Sequence, residues 1–394
     1  MKSPLLKLLA CAAMSSLLPT LASAAETFVY FGGYTGGKSD SQGIYVSRFD
    51  LESGALSEPQ LAAEVSSPSF VAIHPNRGNL YAVSEKPATG SAKEGTMTAY
   101  SLDPETGALT KLNERSTGGA APCHVSVAPS GDAIVVANYT GGSCASFGLA
   151  DDGSFTDAGS FHQHEGSSIN PKRQKEPHAH SANFSWDGRF VFVADLGTDR
   201  IETYRFDAGT SQMSPTGVTR IEPGSGPRHF AFHPNGKFAW VINEMALTLT
   251  GFRYEKESGT LTEIQTISTV PDNDRKQPGL STAEVQVHPS GKFVYGSNRG
   301  HDTIAIFRLD ESDGQLAFVE VESIRGKTPR NFTIDPTGRY LLAAGQDSDT
   351  VHVFAIDQNT GALSDHGSEI SVPSPVCVRF LPLPRDKRIY LRVP

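Results

Sequence analysis

The sequence predicts an all-β protein: a seven-bladed β-propeller with four antiparallel strands per blade, whose N-terminal strands complete the C-terminal blade. Three observations predict it. A tight turn between two short apolar strands recurs seven times along the 394 residues. The recurrences are 46 to 57 residues apart, the length of one four-stranded propeller blade. The chain also ends with its seventh unit short of its later strands, and strands of the missing kind stand at the start.

The chain opens with Lys2 and Lys7, an apolar run over 8–21, and the small residues Ala22-Ser23-Ala24. That order reads as a secretory signal over 1–24, with the propeller over 25–394 and a periplasmic or secreted destination. Cys11 gives a loose lipoprotein box, but Lys7 interrupts the short apolar run before it, so cleavage after Ala24 is favoured. The apolar run is too short to span a bilayer, and no later stretch approaches about 20 apolar residues. The formal charge of −9 falls to −11 once the two signal lysines are removed. Nucleic acid is therefore excluded as a partner, since phosphate neutralisation wants a basic face. Cys123, Cys144 and Cys377 remain, an odd number without CxxC spacing, so no disulfide framework follows.

The stretch 28–35 (FVYFGGYT), with 49–56 (FDLESGAL), provides the strands that the last unit lacks. Closing the ring with them removes the open sheet edges that a broken ring would expose. The seven turns follow, at His74-Pro75, Pro129-Ser130-Gly131, Trp186-Asp187-Gly188, Pro234-Asn235-Gly236, Pro289-Ser290-Gly291, Pro336-Thr337-Gly338 and Leu381-Pro382. In the fourth unit, the turn joins strands predicted over 230–233 and 238–242. A third strand with a second turn signature comes next, as in 100–109 (YSLDPETGAL), 307–316 (FRLDESDGQL) and 354–363 (FAIDQNTGAL). The one long departure is 161–180 (FHQHEGSSINPKRQKEPHAH), a polar, non-repetitive loop of the kind that carries function on a rigid scaffold.

Polar residues gather at the strand ends opposite these turns. Six and five residues before each turn proline or its equivalent stand Ser69/Phe70, Cys123/His124, His180/Ser181, Arg228/His229, Ala283/Glu284, Arg330/Asn331 and Val376/Cys377. About ten residues after it stand Glu85, Asn138/Tyr139, Asp195, Asn243/Glu244, Asn298/Arg299 and Gln346/Asp347. A propeller brings such ends together around a central funnel.

Three chemistries are open to that cluster. Arg228, Arg299 and Arg330 can grip a carboxylate or phosphate, because a guanidinium offers paired donors and stays charged. Glu244 or Glu284 can act as general base if burial keeps it near the working pH. His180 or His229 can pass a proton to a leaving oxygen, with His124 and His178 close by. His178 and His180 flank one alanine, a spacing open to a metal, but no HExxH or cysteine companion supports one and no metal is assigned. His74, His233 and His288, on the far side, read as turn residues bonding backbone. GxSxG, P-loop and dinucleotide fingerprints are absent from the sequence.

The seven units, the recurring HPxG turn and the phrases EPHAHS (176–181), GPRH (226–229) and SNRGHDT (297–303) resemble the seven-bladed β-propeller lactonase family. That family includes bacterial 6-phosphogluconolactonases and fungal carboxy-muconate cyclases. The resemblance implies a monomeric, cofactor-free enzyme acting on a small sugar or organic-acid lactone, with His180, Arg228, Glu244 and Arg299 as catalytic residues. It also implies that Arg173, in the NPKRQ stretch, touches substrate. A phosphorylated substrate made in the cytoplasm fits poorly with an export signal, so the expectation is an unphosphorylated lactone. Two alternatives stand beside hydrolysis: the reverse cyclisation of a muconate, and a propeller that binds a ligand without turnover.

Overall fold

The computed structural model describes residues 26–86 and 94–383; the expected signal segment over 1–24 lies outside them. Its strands form seven four-stranded antiparallel sheets, each with its innermost strand on the central axis. The innermost strands are Val71–Ile73, Pro122–Val127, Ala179–Phe184, Pro227–Phe232, Ser281–Val287, Asn331–Ile334 and Pro375–Phe380. In six sheets, the innermost strand and the three that follow it in sequence make the blade. In the seventh, Glu26–Gly33 pairs with Pro375–Phe380, placing Val29 opposite Phe380 and Phe31 opposite Val378. The predicted closure of the ring is therefore present.

The second strand of every blade is buried throughout or nearly so, because it is covered by the sheets on both sides. The core consequently lies between blades. Phe192 of the third blade, for example, stacks on Phe230 of the fourth, with centroids 5.6 Å apart and planes at 10°. Two repeated hydrogen bonds tie the blades further. Tyr30, Tyr81 and Tyr295 each donate to a glycine carbonyl in the second turn of the next blade, at Gly107, Gly153 and Gly361, over 2.9, 3.0 and 2.8 Å.

His74, His233 and His288 accept backbone or hydroxyl donors at Nδ1 and donate from Nε2 to the carbonyls of Gly131, Gly291 and Gly338. These histidines are structural, as expected, but they serve the neighbouring blade as much as their own turn. Gly291 has φ of +79°, and a Cβ there would sit 2.5 Å from the His233 ring. The glycine is thus required both by its conformation and by the staple.

Two boundaries differ from expectation. The innermost strand of the fourth blade begins at Pro227 rather than 230, so Arg228 and His229 lie within it. The long loop is shorter than its polarity suggested: Phe155–Gln163 claims 161–163 as strand, leaving 164–178 between strands.

Candidate active site

The innermost strands do not enter the funnel as regular strands. Their register slips between Pro122 and His124, Ala179 and Ser181, Pro227 and His229, and Thr282 and Val285. Each slip is a β-bulge that inserts residues on one strand and re-aims their side chains. The bulges hold Cys123, His180, Arg228 and Ala283–Glu284. Return strands end beside them because a carbonyl just ahead of the inner strand takes their last N–H. Tyr139 donates to Ala121 over 2.8 Å and Glu244 to Gly226 over 2.7 Å.

The result is a cavity of about 340 Å³ lined by Tyr34, Glu85, Cys123, Tyr139, Arg173, His180, Glu244, Ser281, Arg299 and Arg330. Glu244 is its electrostatic centre. One carboxylate oxygen accepts from Arg228 Nε at 3.0 Å and lies 2.9 Å from Arg299; the other accepts from Arg173 at 2.7 Å. Burial alone would raise the carboxyl, but Arg299, Arg228 and Arg173 outweigh it and hold it at about 2. A carboxylate so committed is a weak base, so the expectation that burial keeps Glu244 near neutrality does not hold.

Arg173 reaches this point from the long loop. The Asn170 carboxamide accepts the N–H groups of Lys172 and Arg173, and fully buried Gln174 donates to the Leu196 carbonyl over 2.8 Å. Arg173 also donates to the Tyr139 hydroxyl at 3.0 Å. Arg330 is different: among the described residues no carboxylate lies within ion-pair distance of it. Burial works against its charge, but Tyr34, Glu85 and Glu244 more than compensate. It is the guanidinium with the most capacity left for a ligand.

Beneath the cavity lies a second, closed layer. His229 accepts from Arg228 at Nε2 over 3.0 Å, and since a guanidinium can only donate, the ring proton sits on Nδ1, 3.2 Å from Glu284. The His124 ring lies 4.2 Å from Phe70 and 5.4 Å from His229. Asn331 donates to Glu284, and Arg379 lies 3.7 Å from the same carboxylate. Burial drives His124, His180 and His229 well below their ordinary range, so all three rings are neutral near pH 7. Burial also raises Glu284, against Arg379 and Arg228.

Of the residues singled out in the sequence, His180, Glu244, Arg299, Arg173 and Arg330 meet in the cavity. Arg228 does not reach it: the side chain is 1 % exposed and is spent on Glu244, His229 and the Ala283 carbonyl. His124, His229 and Glu284 are sealed in the layer below. His178 stacks on Tyr139 at 4.6 Å and bonds its carbonyl, supporting a lining residue from behind. Glu85, Tyr139 and Cys123 stand at strand ends that the sequence places at the funnel, although it does not single them out as site residues; Tyr34 and Ser281 lie outside that strand-end pattern. Among the described residues, no group of three or more His, Cys, Asp or Glu is placed to hold a metal ion.

Comparison with known proteins agrees with this architecture. The model of the lactonase family with a 7-bladed β-propeller matches residues 28–380. The 6-phosphogluconolactonase of Bacillus subtilis is 39 % identical over 354 residues, covering 89 % of this chain and 97 % of that one. The 6-phosphogluconolactonase of Formosa agariphila is 34 % identical, over 78 % and 86 % of the two chains. Among solved structures, the periplasmic gluconolactonase of Pseudomonas aeruginosa superposes with a TM-score of 0.84 at 32 % identity, covering 91 % of this chain and 100 % of that one. The chain belongs to the seven-bladed β-propeller lactonase family.

Proposed function

We propose that this protein hydrolyses a small sugar lactone, that it does so after export as a monomer without a cofactor, and that its substrate is unphosphorylated. The observation that carries the substrate class is the charge arrangement of the cavity. Three arginines and two carboxylates line it, but Glu244 engages two of those arginines and Arg228 behind them. The cation left over is Arg330. One uncommitted guanidinium suits the single negative charge that develops on a carbonyl oxygen under attack, and suits less well a substrate that also brings a phosphate dianion. The remaining donors of Arg299 and Arg173 are available to sugar hydroxyls. Neutral His180 and Tyr139 line the same cavity and can orient the ring.

The reading of the first 24 residues as a signal points the same way, as does the likeness to a protein named for periplasmic gluconolactone chemistry. The net negative charge of the chain disfavours nucleic acid as a partner. The test is proton release from purified protein supplied with glucono-δ-lactone and with 6-phosphogluconolactone, corrected for spontaneous opening. Turnover of the first at least as efficient as the second is expected. A hundredfold preference for the phosphorylated lactone would overturn the substrate assignment.

A further inference from the structure

The cavity contains two carboxylates, and their surroundings are opposite. Glu244 has three guanidiniums on it. Glu85, at the end of the first blade's return strand, has none: among the described residues no cation lies within ion-pair distance, and its side-chain partner is the Tyr34 hydroxyl, 2.9 and 3.0 Å from the two oxygens. Tyr34 stays protonated, since burial, together with Glu85, raises the phenol above its ordinary value despite Arg330. A phenol proton can satisfy one oxygen lone pair, so the Glu85 carboxylate keeps acceptor capacity facing the cavity. Arg330, whose guanidinium lies 5.4 Å from the centre of the Tyr34 ring, sits beside this pair. The other candidates fail on access or chemistry. Glu284 is sealed beneath the cavity, the three histidines are depressed by burial, and burial raises the Cys123 thiol, leaving it un-ionised.

We infer that Glu85, held by Tyr34, is the general base that activates the hydrolytic water, while Glu244 orders the arginines; the inference rests on the lactonase reading. In the forward step, Glu85 takes one proton from water as the water oxygen bonds to the lactone carbonyl carbon. The carbonyl π pair moves onto oxygen, facing Arg330. Collapse of that tetrahedral species re-forms the carbonyl and breaks the ring C–O bond, and the ring oxygen takes the proton back from Glu85. The product is the open hydroxy acid, whose carboxyl then loses its proton to solvent. Glu85 returns to its starting state.

The decisive comparison is Glu85→Gln, Glu85→Ala and Glu244→Ala, assayed on the lactone that the wild type turns over best. Glu85→Gln is expected to lower kcat by about 10²- to 10⁴-fold with KM within a few-fold of wild type. The acid limb of its kcat/KM profile, where a carboxylate base takes up its proton, should disappear. Added formate, which can occupy the space left by a deleted carboxylate, should restore part of the kcat of Glu85→Ala and none of that of Glu244→Ala. Should Glu85→Ala not fold, the near-isosteric Glu85→Gln still decides the matter. Full kcat in Glu85→Gln, or formate rescue of Glu244→Ala instead, overturns the assignment. A wild type inert toward every lactone would instead overturn the lactonase reading, and this one with it.

Discussion

Arg228 donates from Nε to Glu244 Oε2 over 3.0 Å, and neither side chain is more than 6 % exposed. The pair joins the cavity wall to the layer beneath, because the same guanidinium also bonds His229 and the Ala283 carbonyl. Removing Arg228 leaves Glu244 with Arg299 and Arg173 but takes the donor from buried His229 Nε2 and the Ala283 carbonyl, which typically costs about 1–3 kcal/mol for each group left unsatisfied. Arg228→Met is therefore expected to lose that much stability in urea unfolding monitored by tryptophan fluorescence. Its lactonase loss would then follow from a displaced Glu244 rather than from a lost substrate contact. An unchanged unfolding midpoint would contradict this account.

Arg330→Ala should behave in the reverse way. With no ion pair among the described residues, its loss should change stability by less than about 1 kcal/mol. Turnover should nonetheless fall by about 10²- to 10³-fold, the usual effect of deleting one oxyanion donor. Arg330→Lys should recover only part of it, since an ammonium lacks the planar fork. Steady-state kinetics on both variants provide the check.

A buried pair away from the cavity is expected to make the fold weaken at alkaline pH. His164 Nδ1 lies 2.6 Å from Asp195, whose other oxygen accepts the N–H groups of His178, Gly197 and Thr198. Burial alone would lower His164, but the hydrogen bond to Asp195 and the contact with Cys144 reverse this and raise it to about 10. A folded value above the unfolded one means the contribution is complete below about pH 6.5 and is lost as pH rises through about 10. The urea midpoint should accordingly fall between pH 8 and 10.5, and His164→Gln should flatten that decline. Glu244, depressed to about 2, works at the other end. Its contribution is present above the ordinary carboxyl range and is lost as pH drops towards 2.

The staple between blades is also open to test. His233→Ala removes a buried donor to Gly291 and leaves its carbonyl without that partner. A loss of about 1–3 kcal/mol is expected from thermal unfolding, with kcat unchanged because the turn lies on the face away from the cavity.

Much of this was legible because a turn such as His233-Pro234-Asn235-Gly236 is local chemistry repeated at a nearly fixed interval. Position along a strand also told which face a residue occupies, and so brought His180, Glu244, Arg299 and Arg330 to one mouth. Depth was not legible. Arg228 and His180 occupy the same strand-end position, yet one lines the cavity and the other is buried behind Glu244, because the bulge and the neighbouring strand end decide the direction of each side chain. Neighbours in sequence such as Cys123 and His124 fall in different layers for the same reason. Tyr34 was missed for a different cause. Counting forward from each turn proline finds the end of a return strand in six blades, but in the seventh that strand stands at the beginning of the chain.

Glu26–Gly33, the strand that closes the ring, leads directly into Tyr34. The pairing of the first described strand with the last, Pro375–Phe380, is thus also the one that delivers a side chain to the cavity. A propeller with that strand detached could keep most of its blades and still lack the hydroxyl beside Glu85. Catalysis in this molecule is in effect a readout of circularity, and loss of turnover should precede loss of β-structure whenever the seam is the first part to open.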